Sequence, residues 1–461
     1  MSLLKQKLEA LIPKLRAERK GLLEKHGEAV VDQVKVEQVF GGMRSIMAMI
    51  CDTSEVSPSD GLIVRGIPIA RLTKRLPEEL FWLLVTGKLP DPRELAELQQ
   101  ELNKRAELPA HVKALIDSMP AHTHPMTLLS AGVLALQTES VFAKAYAAGI
   151  PKQDYWMPVL EDALNLMAWI SPLAAYIYFK KYRNVADFKI VRDFDWGKNF
   201  ARMLQLQQKS DEADNMMRLY LTLHCDHEGG NVSAFTSHVV ASALSDAFYT
   251  VSAGLNGLAG PLHGLANQEC LRFWLGMQSA LGDKPSDKAI TTYIWDKLNS
   301  KQVIPGYGHA VLRSTDPRFT ALYAFGKKEF SNDPVFHLVD RGYALIPGIL
   351  KEQGKVKSPF PNVDAGSGAV LWHFGLREFD FNTVFFGVSR CMGLLAQMIV
   401  SRAVGEPITR PKSVTTDWVK QQVEKSFVGQ MQANMVDAPA ADLGNQVWTQ
   451  HGFVETRPFV V

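Results

Sequence analysis

The run from Gly254 to Arg318 holds the residues best suited to chemistry, because glycines, two separated histidines and two arginines crowd into segments that no ordinary helical core requires. Its first half reads G-L-N-G-L-A-G-P-L-H-G-L-A-N-Q-E and carries His263. Proline is tolerated at a first helical position, and Leu265, Leu271, Phe273, Trp274 and Leu275 follow at helical spacing. The pattern therefore predicts a helix starting at Gly260-Pro261, with His263 in its first turn. Unpaired backbone N–H groups there disfavour imidazolium and keep the ring neutral, able to donate a hydrogen bond. The second half, I-P-G-Y-G-H-A-V-L-R-S-T-D-P-R, sets Gly306 and Gly308 around His309, with Arg313 and Arg318 close behind. Such a set suits polarising carbonyl oxygens while guanidinium forks hold carboxylates. One histidine in an apolar helix is more often a satisfied core residue; two in glycine-rich turns beside arginines shift the balance toward a site.

Three further positions carry weight. His224 and His227 stand three apart in H-C-D-H-E-G-G, a spacing that invites a metal ion. The order H-x-x-H-E does not fit the zinc-hydrolase spacings and no third ligand follows, so no metal is expected. His227 instead lies at the bend before Gly229-Gly230, where a side chain can face a cleft. Asp364 follows a proline-rich approach in S-P-F-P-N-V-D-A-G-S-G, and a plain helix N-cap explains it about as well as chemistry does. Arg390 sits inside the apolar run F-F-G-V-S-R-C-M-G-L-L-A-Q, where a buried arginine needs an anionic partner and no acidic neighbour is offered locally. Arg44 in G-G-M-R and Arg410 in T-R-P-K-S read as solvated charges on the sequence alone, and His122 and His124 as capping or surface residues of a turn.

The chain that must position these residues has 461 of them, enough for a large core in two domains or in one domain with a smaller insertion. A formal net charge of +2 with 21% charged residues offers no extended basic face, so nucleic acid is not an expected partner. Cys51, Cys225, Cys270 and Cys391 are too scattered for a disulfide framework or a zinc site and read as buried free thiols in a reducing compartment. No run approaches the roughly 20 apolar residues of a membrane span, and Met392 to Val400 is too short. The N-terminus has neither an apolar signal core nor an Arg-rich presequence, so a cytoplasmic, bacterial location is expected, or the mitochondrial matrix if the chain is a processed form.

Helical periodicity dominates. Leu4, Leu8, Leu11, Ile12, Leu15, Leu22 and Leu23 predict an exposed amphipathic helix over 3–25, interrupted near Pro13. G-L-I-V-R-G-I-P-I is the best strand candidate, so any sheet is small. Further helices are expected across 77–121, 125–179, 210–224, 231–252 and 286–300, with a pair over 330–357. After Phe427 the periodicity fades into a surface tail.

Taken together, D-H-E-G-G-N-V-S-A, N-G-L-A-G-P-L-H-G-L-A-N-Q-E, V-I-P-G-Y-G-H-A-V-L-R-S-T-D-P-R, F-P-N-V-D-A, F-F-G-V-S-R and I-T-R-P-K-S resemble citrate synthase, in the form typical of mitochondria. The resemblance runs from L-I-P-K near the N-terminus to about Ser426. It implies a mainly α, two-domain homodimer. A large domain would comprise 1–263 and 370–426, a small mobile domain 264–369, and 427–461 a tail. By this likeness His263 would donate to the acetyl-CoA thioester carbonyl, Asp364 would take the methyl proton and His309 would polarise the oxaloacetate ketone. His227, His309, Arg318, Arg390 and Arg410 would bind oxaloacetate, and Arg44, Arg313, Lys355 and Lys357 would hold the phosphates of CoA. Arg410 and Arg44 would reach the other subunit's site. Acetyl-CoA is then a substrate, and no metal or redox cofactor is implied. The nearest rival activity is 2-methylcitrate synthase, acting on propionyl-CoA, and the rival of another class is a non-catalytic helical dimer that senses CoA or a dicarboxylate. Animal citrate synthases usually read S-A-H-T-S-H and D-A-H-S-G, where this chain has Phe235 and Gly366. A glycine two residues from the base leaves space that could admit the extra methyl of propionyl-CoA, unless Phe235 or another side chain fills it.

Overall fold

A computed structural model describes residues 2–183, 188–206, 210–309 and 311–425. They divide into two compact units. The first comprises Met1–Val31 and Met47–Thr409; the second comprises Asp32–Ile46 and the described part of Arg410–Val461. The expected tail at 427–461 lies outside the described residues.

In the first unit α1 (Leu3–His26) buries only the stripe Leu4, Leu8 and Ile12 and exposes Leu22 and Leu23. The helix runs unbroken through Pro13, contrary to the expected interruption. The second unit holds α2 (Val36–Phe40) and helical residues 416–425. The sheet is as small as expected: β1 (Ser54–Ser57), β2 (Gly61–Val64) and β3 (Ile67–Pro68) pair antiparallel in that order, with Ser54 opposite Val64.

Capping chemistry sets the next helices. In α3 (Pro77–Thr86) proline occupies the first turn, Glu79 reaches back to the Leu76 N–H at 2.7 Å, and Gly87 closes the helix at φ +77°. In α4 (Pro92–Arg105) Asp91 and Glu94 cap each other's N–H groups. There follow α5 (Ala110–Ser118), α6 (Pro125–Ala135) and α7 (Val141–Ala147), with His124 capping α6 through Nδ1, as its turn position suggested. The long α8 (Trp156–Tyr178) is buried on nearly every face. It crosses α6 so closely that a Cβ on Gly132 would stand 2.8 Å from Leu173.

Helices α9 (Trp196–Met203), α10 (Ser210–Leu223), α11 (Val232–Ser242) and α12 (Ala247–Leu258) continue the bundle. The single helix expected over 231–252 is two, because Asp246 caps a fresh start at Phe248 and Tyr249. A second hydrophobic core joins α13 (Ala266–Leu281), α14 (Asp287–Asn299), α15 (Pro317–Glu329), α16 (Pro334–Gln353) and α17 (Asp364–His373) through Trp274, Ile294, Phe319, Val339 and Ile346. One helix, α16, spans most of 330–357 where a pair was expected, with Pro347 tolerated inside it. The chain returns to the first core as α18 (Asn382–Val404). This helix is long and apolar enough to cross a membrane, yet 83% of its apolar window is buried inside the fold, as befits a core helix.

Candidate active site

The backbone brings the histidines together. After α10 the chain bends at His227 and Glu228, whose φ is +53°, and is pinned by Ser54 Oγ accepting from the Glu228 N–H at 2.8 Å. Asn231 then caps α11 and donates from Nδ2 to the His227 carbonyl at 2.8 Å. His227 and His309 have ring centroids 6.0 Å apart. Burial first, then Arg318 and Arg390, hold His227 well below the ordinary histidine range.

His309 and Asp364 arrive on two loops laced together by backbone. The Gly308 N–H donates to Phe360 O at 3.0 Å, the Asn362 N–H to Gly306 O at 2.8 Å, and Asn362 Nδ2 to Gly308 O at 3.0 Å. Only glycine serves at 306, where φ is +78° and a Cβ would stand 2.7 Å from both Ala365 Cα and Cys270 Sγ. The Asp316 N–H donates to Pro361 O at 3.1 Å, which ties the start of α15 to the same lacing.

Each imidazole has a definable proton. His309 Nδ1 accepts from the N–H groups of Val311 and Leu312, both at 3.0 Å, so in the neutral ring the proton sits on Nε2. Burial and Arg318 lower the His309 pKa and keep it neutral. His263 Nε2 accepts from the Ser233 N–H at 3.4 Å and lies 3.0 Å from Ser233 Oγ, so its proton sits on Nδ1. Burial, with Arg390 adding to it, takes His263 down to about 4.

The reason for that neutrality differs from the one expected. The helix begins at Ala266, and 261–265 form a turn closed by the Gly264 N–H on Leu258 O at 3.0 Å. His263 is thus outside the helix, and burial beside a cation replaces the helix N-terminus as the cause.

Asp364 is the first residue of α17, with Val363 at the N-cap, so the plain capping role does not hold. Among the described residues its carboxyl accepts no hydrogen bond. Burial pushes it up to about 6, against the pull of Arg318. Arg318, also buried, is forked onto Asp316, with Nη2 to Oδ2 at 2.7 Å and Nε to Oδ1 at 3.1 Å. Arg390 is 1% exposed and forks onto no carboxylate among the described residues, Asp226 acting on it only from beyond ion-pair distance. Among the described residues it donates to His224 O at 3.4 Å, Asn231 Oδ1 at 3.3 Å and Ser233 Oγ at 3.4 Å, and it stacks 4.8 Å from the Phe386 ring. Burial pulls it down to about 10. A guanidinium this deep without a carboxylate is costly until an anion arrives.

His227, His263, His309, Asp364, Arg318 and Arg390 therefore share one electrostatic neighbourhood. Arg313 belongs to its rim, its N–H on Pro58 O at 3.0 Å and Nη1 on Leu312 O at 2.8 Å. Lys355 and Lys357 are exposed on the loop after α16. Arg44 and Arg410 fall in the second unit, both exposed. Gly366 offers no gap: a Cβ there meets Phe319 at 3.2 Å, and this fully buried ring occupies the space an imidazole would need. No group of three or more metal-ligating side chains forms among the described residues. His224 instead donates from Nδ1 to Tyr220 O at 2.9 Å and stacks on the Tyr220 ring at 4.3 Å.

Three residues that sequence reasoning passed over matter here. Asn231 and Ser233 orient both Arg390 and His263, and Asp316 orients Arg318. The cap pattern N-x-S and the D-P-R step were the readable signals.

Comparison with known proteins places this geometry. The sequence profile described as "Citrate synthase, C-terminal domain" matches residues 42–412. Among solved structures, citrate synthase from Pyrobaculum aerophilum is similar at 26% identity and a TM-score of 0.73, over 82% of this chain and 92% of that one. The citrate synthase of Thermotoga maritima MSB8 shares the fold at 22% identity and 0.68, over 83% and 96%. So does that of Thermoplasma acidophilum, solved in a ternary complex with carboxymethyl coenzyme A and oxaloacetate, at 21% and 0.70, over 83% and 97%.

Proposed function

The chain belongs to the citrate synthase family, and from that premise we propose that it condenses acetyl-CoA with oxaloacetate and hydrolyses the resulting citryl-CoA to citrate and CoA, the first step of the tricarboxylic acid cycle. Arg390, buried and in no ion pair among the described residues although Asp226 and Glu228 act on it from farther off, is the observation that carries the substrate assignment, because a carboxylate can still take its fork. Arg318 and His227 complete the oxaloacetate site, with Arg410 supplied by the second subunit of a homodimer. His309 Nε2–H is aimed by its two backbone donors to polarise the ketone.

A carboxylate cannot deprotonate a thioester methyl unless the enolate is stabilised as it forms. His263 Nδ1–H provides that hydrogen bond while Asp364 removes the proton. The methyl carbon then attacks the ketone carbon, the new alkoxide takes a proton from the His309 side, and water cleaves the C–S bond to release the thiol of CoA. Electrons move only in pairs, with the polarity supplied by imidazoles and guanidinium groups, so the scheme calls for no metal or redox cofactor. Arg313, Lys355, Lys357 and, across the dimer, Arg44 hold the phosphates of CoA. Residues 264–369, with their own hydrophobic core, form the part that closes once oxaloacetate is bound.

The test is release of free thiol with oxaloacetate and either acetyl-CoA or propionyl-CoA. Faster turnover of acetyl-CoA supports the reading, preference for propionyl-CoA makes the protein a 2-methylcitrate synthase, and no release from either leaves a sensor.

A further inference from the structure

Polar side chains at the start of α13 lie outside the reacting groups and join the two segments that carry His263 and Asp364. Leu265 at the N-cap offers α13 no side-chain cap, so the first turn is fixed instead by amides that reach outward. Asn267 Nδ2 donates to Ser367 Oγ, and Asn267 Oδ1 accepts from Asn382 Nδ2 at 3.2 Å. Gln268 Nε2 donates to Thr383 Oγ1 at 3.0 Å, and that hydroxyl donates onward to Gly264 O at 3.2 Å. All of these side chains are buried.

The ends of this network meet the catalytic segments. Gly264 follows His263 directly, and a Cβ there would stand 2.9 Å from Thr383 Cγ2, so one residue clamps the turn with both its hydroxyl and its methyl. Ser367 lies on α17 one turn beyond Asp364, and Trp274 Nε1 adds a second tie from α13, to Ala365 O at 2.9 Å. Thr383 stands two turns before Arg390 on α18, so the helix that clamps the His263 turn also carries the guanidinium that shares Ser233 with the His263 ring. Asn382 Oδ1 is buried with no partner among the described residues, a cost that an apolar contact between these helices would not carry. What such a network supplies is a fixed orientation rather than cheap stability.

We propose that Asn267, Gln268 and Thr383 are positioning residues that hold the hydrogen-bond donor His263 at a fixed reach from the base Asp364, an inference that rests on the condensation proposed above. Removing a methyl proton is productive only while donor and base face the same thioester, and a misplacement of about 1 Å costs about 10²-fold.

The experiment compares wild type, Thr383→Val and Thr383→Ser in the full chain. Valine keeps the outline and strands Gln268 Nε2 and Gly264 O, whereas serine keeps the hydroxyl. Thr383→Val should lower kcat for thiol release about 10–100-fold with the oxaloacetate KM unchanged, and Thr383→Ser should return it to within about threefold of wild type. With trideuterioacetyl-CoA the isotope effect on kcat should rise in Thr383→Val, because proton removal comes to limit turnover, whereas a smaller folded fraction leaves that ratio where it was. A Thr383→Val kcat within about threefold of wild type, an equal loss in Thr383→Ser, or an unmoved isotope effect overturns the proposal. Wild type that releases no thiol sinks the condensation instead, and hydrogen exchange then decides the network by itself. The peptide over 259–265 should exchange about tenfold faster in Thr383→Val with 317–329 unchanged, and equal exchange over 259–265 in the two proteins overturns the clamp. If Thr383→Val fails to fold, Ser367→Ala decides at the Asp364 end: a kcat about tenfold lower at unchanged oxaloacetate KM supports the proposal, and wild-type kcat overturns it.

Discussion

Lowering the pH should switch this protein off through Asp364, and the structure fixes where. Its carboxyl accepts no hydrogen bond among the described residues and is pushed up to about 6 by burial, with Arg318 opposing. A base with that value is about nine-tenths ionised at pH 7 and about one-tenth at pH 5, whereas an ordinary aspartate near 3.9 stays ionised across that span. Thiol release measured as kcat/KM for acetyl-CoA at saturating oxaloacetate should therefore fall about tenfold between pH 7 and pH 5. The histidines do not imitate this limb, since His263 is held down to about 4 and His227 and His309 are also lowered. Asp364→Asn should lose about 10²–10⁴-fold in rate, the usual share of a positioned general base, and flatten the profile. Oxaloacetate affinity, measured by calorimetry, should barely change. An acid limb that survives in Asp364→Asn would refute the assignment, as would wild-type activity that stays level to pH 4.5.

Glu78 is fully buried in α3 and raised to about 7, with Oε2 unpartnered and Oε1 accepting from the Trp196 N–H at 2.6 Å. Because its folded pKa exceeds its unfolded one, its contribution to stability is present below about 4.5 and lost as pH rises through about 7; Glu78→Gln should therefore stabilise at pH 8 by up to about 3 kcal/mol in denaturant titrations and do little at pH 4. Gly366→His must displace Phe319 and should cost about 1–3 kcal/mol by overpacking. Its ratio of acetyl-CoA to propionyl-CoA specificity constants should stay put in whatever fraction folds, and a shift toward acetyl-CoA would restore the idea of a pocket beside the base. Mixing Arg410→Ala with His309→Ala subunits should recover about a quarter of wild-type activity, because half the dimers are mixed and one of their two sites is whole; mixed dimers that form and stay inactive would place both residues in one chain's site.

What could be read from the residues followed how local the cause was. The small sheet at G-L-I-V-R-G-I-P-I, the cap at His124 and the odd burial of Arg390 were legible because neighbours in sequence carry them. Pro13 misled, since α1 runs through it and the packing of its stripe outweighs the local cost of an interior proline. The neutrality of His263 was expected correctly for a wrong reason: burial lowers it most, and Arg390, which adds to that, lies 127 residues away in sequence, a distance no periodicity spans. Gly366 was misjudged for the same reason, because the ring that fills its space comes from Phe319 in another helix.

The lacing of 306–308 to 360–362 runs through main-chain atoms, with Asn362 alone among the described residues lending a side chain. The spacing between Asp364 and His309 is therefore indifferent to side-chain changes at positions other than Gly306, Gly308 and Asn362. It is acutely sensitive to length. Deleting one residue between Ile304 and His309 would slide the ladder by a step and turn the imidazole away from the aspartate, although every side chain survived. For anyone reshaping the acyl pocket, these loops tolerate new side chains only away from Gly306, Gly308, His309 and Asn362, and they are closed to insertions.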